Sequence, residues 1–176
     1  MTWLALVTGV VAGVPLLAWL AGGFLPRDHV AQMSLEVGAD PGQVWTLIAD
    51  VTGTSRWRPD VRQVESRPPV GGRPRFVETT RHGPTPFEIV AQAPPATQVV
   101  RVVDDGLPFG GTWTWELTPR GTGTRLTITE DGFIESRLFR VMSRLFFPPT
   151  ATMDAYLRAL AAELGERAEP EVIRAR

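Results

Sequence analysis

Three charged residues in strand-like text are candidates for the inner face of the fold: Glu78, Arg101 and Glu130. By the two-residue period of a strand, Glu78 is in phase with Phe76, and Glu130 with Leu126 and Ile128. A carboxylate on an apolar face is costly unless it is paired. A Glu meeting Arg101 inside the fold would give a polar handle for a ligand head group. It would also give a general acid or base whose pKa burial has raised. The competing reading is that bulges and strand ends turn these side chains to water, Glu130 in particular standing at the end of its strand. His82 lies in the turn His82-Gly83-Pro84 and reads as an exposed tip, and His29 stands at a juncture and is assigned no chemistry. Asp50 and Asp60 flank Trp57, with Asp50 expected as a local cap. No Gly-x-Ser-x-Gly elbow, phosphate loop or dinucleotide fingerprint occurs. With two separated histidines and no cysteine, neither a metal site nor a cofactor is implied.

The elements that must position these residues follow from periodicity. Ala31, Met33, Leu35 and Val37 alternate with polar residues and predict a half-buried strand. Asp40 is a good N-cap with Pro41 at the first helical position, leading into Val44, Trp45, Leu47 and Ile48. From Val61 to Ile134 six strand-like runs alternate with turn signals such as Gly71-Gly72, His82-Gly83-Pro84, Pro94-Pro95 and Arg120-Gly121. Trp113, Trp115 and Leu117 share one face of the run from Thr112, and Leu126 and Ile128 one face of the next. The segment Arg137–Arg167 then carries Leu138, Val141, Met142, Leu145 and Phe146, followed by Met153, Leu157, Leu160, Ala161 and Leu164, at helical spacing. Pro148-Pro149 predicts a break, with a new helix beginning near Thr150. Short turns between successive strands imply an antiparallel meander, with the helix packed across it.

A chain of 176 residues suffices for one ordinary domain and a small appendage. A net charge of −1 gives no ground for nucleic acid as a bulk partner. Trp3 to Leu25 is free of charge and as a helix would reach roughly 34 Å, enough for a hydrocarbon core of about 30 Å. It is read as a single-pass transmembrane anchor (residues 1–26), placing the protein in a membrane with orientation unassigned. A cleaved signal and a buried core helix are the alternatives, the first disfavoured because no Lys or Arg precedes the run. Gly9 and Gly13 form a GxxxG pair, for which chance is the better account. Residues 27–29 read as a juncture, residues 30–167 as the folded domain and residues 168–176 as a flexible tail.

Two stretches carry a resemblance. The first is Asp40-Pro41-Gly42-Gln43-Val44-Trp45-Thr46-Leu47-Ile48-Ala49-Asp50 with Trp57-Arg58-Pro59-Asp60-Val61 beyond it. The second is Gly111-Thr112-Trp113-Thr114-Trp115-Glu116-Leu117-Thr118-Pro119 followed by Gly123-Thr124-Arg125-Leu126-Thr127-Ile128-Thr129. With the element order, they resemble the START-like, helix-grip or SRPBCC superfamily, and within it the polyketide cyclase/dehydrase-like group. The resemblance implies an α+β helix-grip fold, a curved seven-stranded antiparallel sheet wrapped around the long C-terminal helix, with a cavity between them. It places Trp57, Phe76, Phe87, Trp113, Trp115, Met142, Phe146, Met153 and Leu157 toward that cavity, unless the same side chains fill the core and close it. Large aromatics and flexible Met suit an apolar ligand.

The expected function is membrane-anchored binding of a hydrophobic small molecule: a lipid, an isoprenoid or a polyketide-like compound. The alternatives are a cyclase/dehydrase-type enzyme using Glu78, Arg101 or Glu130, and a ligand-free protein-interaction module. Arg137, Arg140 and Arg144 with Phe139 and Phe146-Phe147 are a further surface, read as a solvated helix face or as a contact to anionic lipid.

Overall fold

The computed structural model describes residues 17–103, 106–146 and 149–175. Strand β1 (Asp28–Val37) is followed by helix α1 (Pro41–Ala49) and a 3-10 helix (Val51–Arg56). Strands β2 (Val61–Val70), β3 (Arg73–Thr80), β4 (Gly83–Ala93), β5 (Thr97–Val102), β6 (Phe109–Arg120) and β7 (Gly123–Ile134) come next. Helices α2 (Arg137–Phe146) and α3 (Pro149–Glu163) and a last strand β8 (Glu171–Ala175) complete the order.

Alternation in the sequence gives the strands, and short turns pair them in succession. All ladders are antiparallel, and the sheet order is β2-β3-β4-β5-β6-β7-β1-β8. The first strand thus returns beside β7, with Leu35 opposite Leu126 and Met33 opposite Ile128. The sheet has eight strands, not seven: residues 171–175, expected as part of a flexible tail, pair with β1 through a bulge beside Met33.

The loop between β1 and β2 is held by caps. Asp40 accepts from the backbone N–H groups of Gly42 (2.8 Å) and Gln43 (3.1 Å), and the Gln43 side chain accepts from the Asp40 N–H in return. Asp50 repeats the device for the 3-10 helix, accepting from the Gly53 N–H at 3.0 Å. Its carboxyl is held below the usual range, first by the Thr52 hydroxyl and then by that N–H.

The core lies between the inner sheet face and α3. Met153, Leu157 and Leu160 are wholly buried there against Leu35, Leu126 and Ile128. This is the stripe the sequence predicts for the second half of the C-terminal segment. The first half differs. Leu138, Met142 and Leu145 on α2 are exposed, and Phe139, one position away in phase, faces inward to stack on Phe109 at 5.9 Å. Arg140 sets this rotation: its guanidinium donates to the carbonyls of Ile134 (2.7 Å), Glu135 (3.2 Å) and Leu25 (3.2 Å). Satisfying those carbonyls turns the expected apolar stripe outward.

The expected membrane-spanning anchor is corrected. Among the described residues no helix is long and apolar enough to cross a membrane. Residues 17–24 are helical. This stretch lies on α2. Arg137 stacks over the Trp19 ring at 4.4 Å, and at Gly22 even a Cβ would stand 2.0 Å from the Arg137 carbonyl oxygen. A charge-free run therefore reports apolarity without saying what covers it. Residues 3–16 of that run, with Gly9 and Gly13, lie outside the described residues.

Candidate functional site

A cavity of about 320 Å³ lies between the sheet's inner face and the helices. Its wall is built from aromatic rings that hold one another. Phe76 and Phe87, opposite each other on β3 and β4, stack at 5.3 Å; Trp113 and Trp115 on β6 sit 5.8 Å apart; and Trp115 touches Tyr156 of α3 at 5.9 Å. Gly110 and Gly111 bring backbone to the same wall. Gly111 has φ +138°, and a side chain there would strike the Asp131 carbonyl oxygen at 2.3 Å.

One end of the cavity carries a buried ionic triad. Arg58, 8% exposed, donates from Nη1 to Glu78 Oε2 at 2.8 Å and from Nη2 to Glu78 Oε1 at 3.2 Å. The same Nη2 reaches Asp60 Oδ2 at 2.6 Å, and Nε reaches Asp60 Oδ1 at 3.3 Å. The guanidinium also lies 5.2 Å from the Tyr156 ring centroid. Two carboxylates thus share one cation. Burial pushes the Glu78 carboxyl above its usual range; Arg58 opposes this, and Asp60 adds to it. Burial also acts against the charge on Arg58, but Glu78 and Asp60 outweigh it and hold the guanidinium firmly protonated. The two directions conflict if this is taken as a simple pair. They agree for a triad of net charge −1, in which the less solvated carboxylate bears the excess. Burial likewise raises the Tyr156 phenol well above the ordinary range, against the pull of Arg58.

A second polar pair lines the cavity on β1 and β7. His29 Nε2 lies 3.3 Å from Glu130 Oε1, both side chains about four-fifths buried. Between the poles, Trp115 Nε1 is buried and makes no hydrogen bond of good geometry among the described residues, though its approach to the Tyr156 phenol works against the rise that burial imposes there.

The cavity gathers Phe76, Glu78, Phe87, Trp113, Trp115 and Glu130 from the predicted site. It does not include the others. Trp57 packs edge-on against Tyr156 at 5.3 Å from outside the lining. Met153 and Leu157 are solid core, Met142 is 40% exposed, and the Phe146 side chain lies outside the described residues. Arg101 is on the opposite face of the sheet, where it meets Glu88 at 2.9 Å together with Arg75 (2.8 Å) and Arg73 (3.3 Å). The partner of Glu78 is Arg58, and Glu130 is paired with His29. Arg58 was legible only as part of the text Trp57-Arg58-Pro59; a cation following a short helical turn carries no strand phase. Tyr156 falls on the helical spacing Met153, Leu157, Leu160 as their neighbour, and that signal was available.

An antiparallel sheet packed on C-terminal helices with an apolar, polar-ended cavity between them defines an α+β domain of the helix-grip type. The chain belongs to the family described as "Polyketide cyclase / dehydrase and lipid transport", which it matches over residues 28–169. No curated protein matches the sequence itself. Among solved structures, the aromatase/cyclase ZhuI from a Streptomyces species is similar at TM-score 0.64 and 15% identity, over 79% of this chain and 94% of that one. A conserved protein from Geobacillus kaustophilus is similar at TM-score 0.63 and 16% identity, over 81% and 99%. The di-domain aromatase/cyclase StfQ of the steffimycin pathway is similar at TM-score 0.63 and 18% identity, over 77% of this chain; the match spans half the length of StfQ. At these identities the likeness is one of fold.

Proposed function

We propose that the domain binds a hydrophobic small molecule, of lipid, isoprenoid or polyketide-like character, in the cavity between sheet and helices. The observation that carries this reading is the cavity of about 320 Å³ itself, walled by paired aromatic rings. The ring-on-ring wall supplies apolar contact, and the Arg58–Glu78 end supplies a polar terminus. Family membership supports the same class of ligand.

The test is native mass spectrometry, with organic extraction, on the full chain purified from a bacterial host. A stoichiometric apolar passenger is expected. A protein that is empty and that takes up none of a panel of fatty acids, isoprenols and aromatic polyketides would overturn the reading.

A second reading, a cyclase/dehydrase-type enzyme on the same ligand, is favoured by one observation, the His29–Glu130 pair facing the cavity. Glu130 would orient the imidazole, which would remove a proton next to a ligand carbonyl and return it to a departing hydroxyl as water. Turnover in the parent that Glu130→Gln and His29→Gln both abolish, with ligand binding intact, would decide for it.

A further inference from the structure

Behind the main cavity lies a second one of about 230 Å³, bounded by Leu25 and Pro26, the start of β1, α2 and the start of α3. Three residues, His29, Ile134 and Ser143, line both, so the two chambers share a wall. Their chemistry differs. The main cavity is an aromatic box, whereas the second is edged by Arg140, Arg144, Ser143 and Thr150, with Asp28 as its acidic residue.

The charges there are not equivalent. Arg140 is committed to the carbonyls of Leu25, Ile134 and Glu135. Asp28 is 73% exposed and lies 3.4 Å from Arg27. Arg144 has no hydrogen bond or ion pair among the described residues, although it stands on the lip of the chamber. Ser143 Oγ already donates to the Arg140 carbonyl at 3.0 Å, so the Arg144 guanidinium, the Thr150 hydroxyl and a neighbouring histidine form the donor set for an anion.

We infer that the ligand is amphipathic: an apolar body in the main cavity and an anionic head group, carboxylate or phosphate, in the second chamber against Arg144. The inference rests on the binding reading above and adds the ligand's charge and direction. The head leaves past His29, Ile134 and Ser143, away from the Arg58–Glu78–Asp60 end, whose net negative charge repels an anion. Leu25 and Pro26 form the apolar rim on this side.

The probes are decanoate and 1-decanol, titrated into the full chain at neutral pH while tryptophan fluorescence and heat are recorded. Decanoate is expected to bind more tightly than the alcohol. Arg144→Glu is expected to weaken decanoate by about tenfold or more and leave the alcohol unchanged. Arg144 is exposed and bonds to nothing described, so the variant keeps the fold, which circular dichroism verifies. Equal affinities for the two probes, or a decanoate preference that survives Arg144→Glu, overturn the head-group site and leave the cavity reading standing. Failure of both probes to bind overturns the inference through the cavity reading itself. Decyl phosphate, run beside decanoate, separates the two anions: the tighter of the pair names the head group.

Discussion

Arg58→Met is the perturbation that examines the triad most directly. The substitution keeps the length of the stem, removes the cation and leaves Glu78 and Asp60 facing each other. Breaking a buried pair by deleting one partner costs about 3–5 kcal/mol when the remaining charge is trapped. Here the side chains of Arg58, Glu78 and Asp60 are 9%, 14% and 37% exposed. Asp60 can turn to water and Glu78 cannot, so the lower end applies, about 3 kcal/mol. Loss of the cation over the Tyr156 ring adds about 1 kcal/mol. The sum, near 4 kcal/mol, corresponds to a fall in melting temperature of roughly 8–16 °C for a chain of this size.

The opposite deletion behaves differently. Glu78→Gln leaves Arg58 with Asp60 and removes the carboxylate whose charged form burial disfavours. Its cost is expected to stay below about 1 kcal/mol. The pH dependence fixes the sign. The folded pKa of Glu78 is raised, so its contribution to stability is fully present below the unfolded value near 4.5 and is lost as pH rises through the folded one. Relative to the parent, Glu78→Gln is therefore more favourable above that window than below it. Thermal melts of both single variants and the double variant, at two pH values, measure all of this. Equal losses from Arg58→Met and Glu78→Gln would refute the reasoning, because a symmetric pair and not a carboxylate-rich triad would then hold this end of the cavity.

Two further substitutions locate the core. Leu157→Ala is expected to cost about 2–5 kcal/mol by opening a void under the sheet, while Met142→Ala on the exposed face of α2 stays within about 0.5 kcal/mol; chemical denaturation reads both. On the outer sheet face, the Glu88 carboxyl is held below its usual range, first by Arg75, against its own desolvation, and then by Arg73 and Arg101. It is screened by arginine stems and not enclosed in the core. Its stabilisation is thus present above the unfolded value near 4.5 and is lost as pH falls through the lower folded one. Glu88→Gln should accordingly lose stability at neutral pH, with the gap to the parent closing on acid titration followed by circular dichroism.

Much of the architecture was legible because period and punctuation are local properties. The alternation of Ala31, Met33, Leu35 and Val37, the Asp40-Pro41 cap and the Gly-rich turns each act within a few residues and each produced the element they imply. The same logic put Glu78 in phase with Phe76, while the resemblance turned Phe76 and Phe87 toward the cavity. That logic failed where orientation is decided by a distant partner. The phase of α2 depends on Arg140 reaching carbonyls more than a hundred residues away in sequence at Leu25, which no periodicity records. The face of Arg101 was misassigned because both phases of β5 are apolar in sequence, Val99 and Val103 with Arg101 and Val100 and Val102 against it, so alternation does not choose the face; Glu88, opposite on β4, does. His29, read as a juncture residue, became a cavity residue because β1 begins at Asp28 and pairs it into line with Gly132.

Whether such a cavity stays open is a matter of stiffness. Aliphatic side chains have rotamers with which to close a space of this size, but the wall here is made of paired rings. Phe76 is pinned by Phe87, Trp113 by Trp115, Trp115 by Tyr156 and Phe109 by Phe139. An inward turn of one ring would break its contact with the next, forfeiting about 0.5–1.5 kcal/mol per pair before any new contact forms. Arg58 locks Tyr156 from behind, and Arg140 fixes the helix that carries Phe139. The rings that would otherwise fill the core are thus held at its edge by their neighbours, and the carboxylates at its two ends, Glu130 and Glu78, are held by His29 and Arg58.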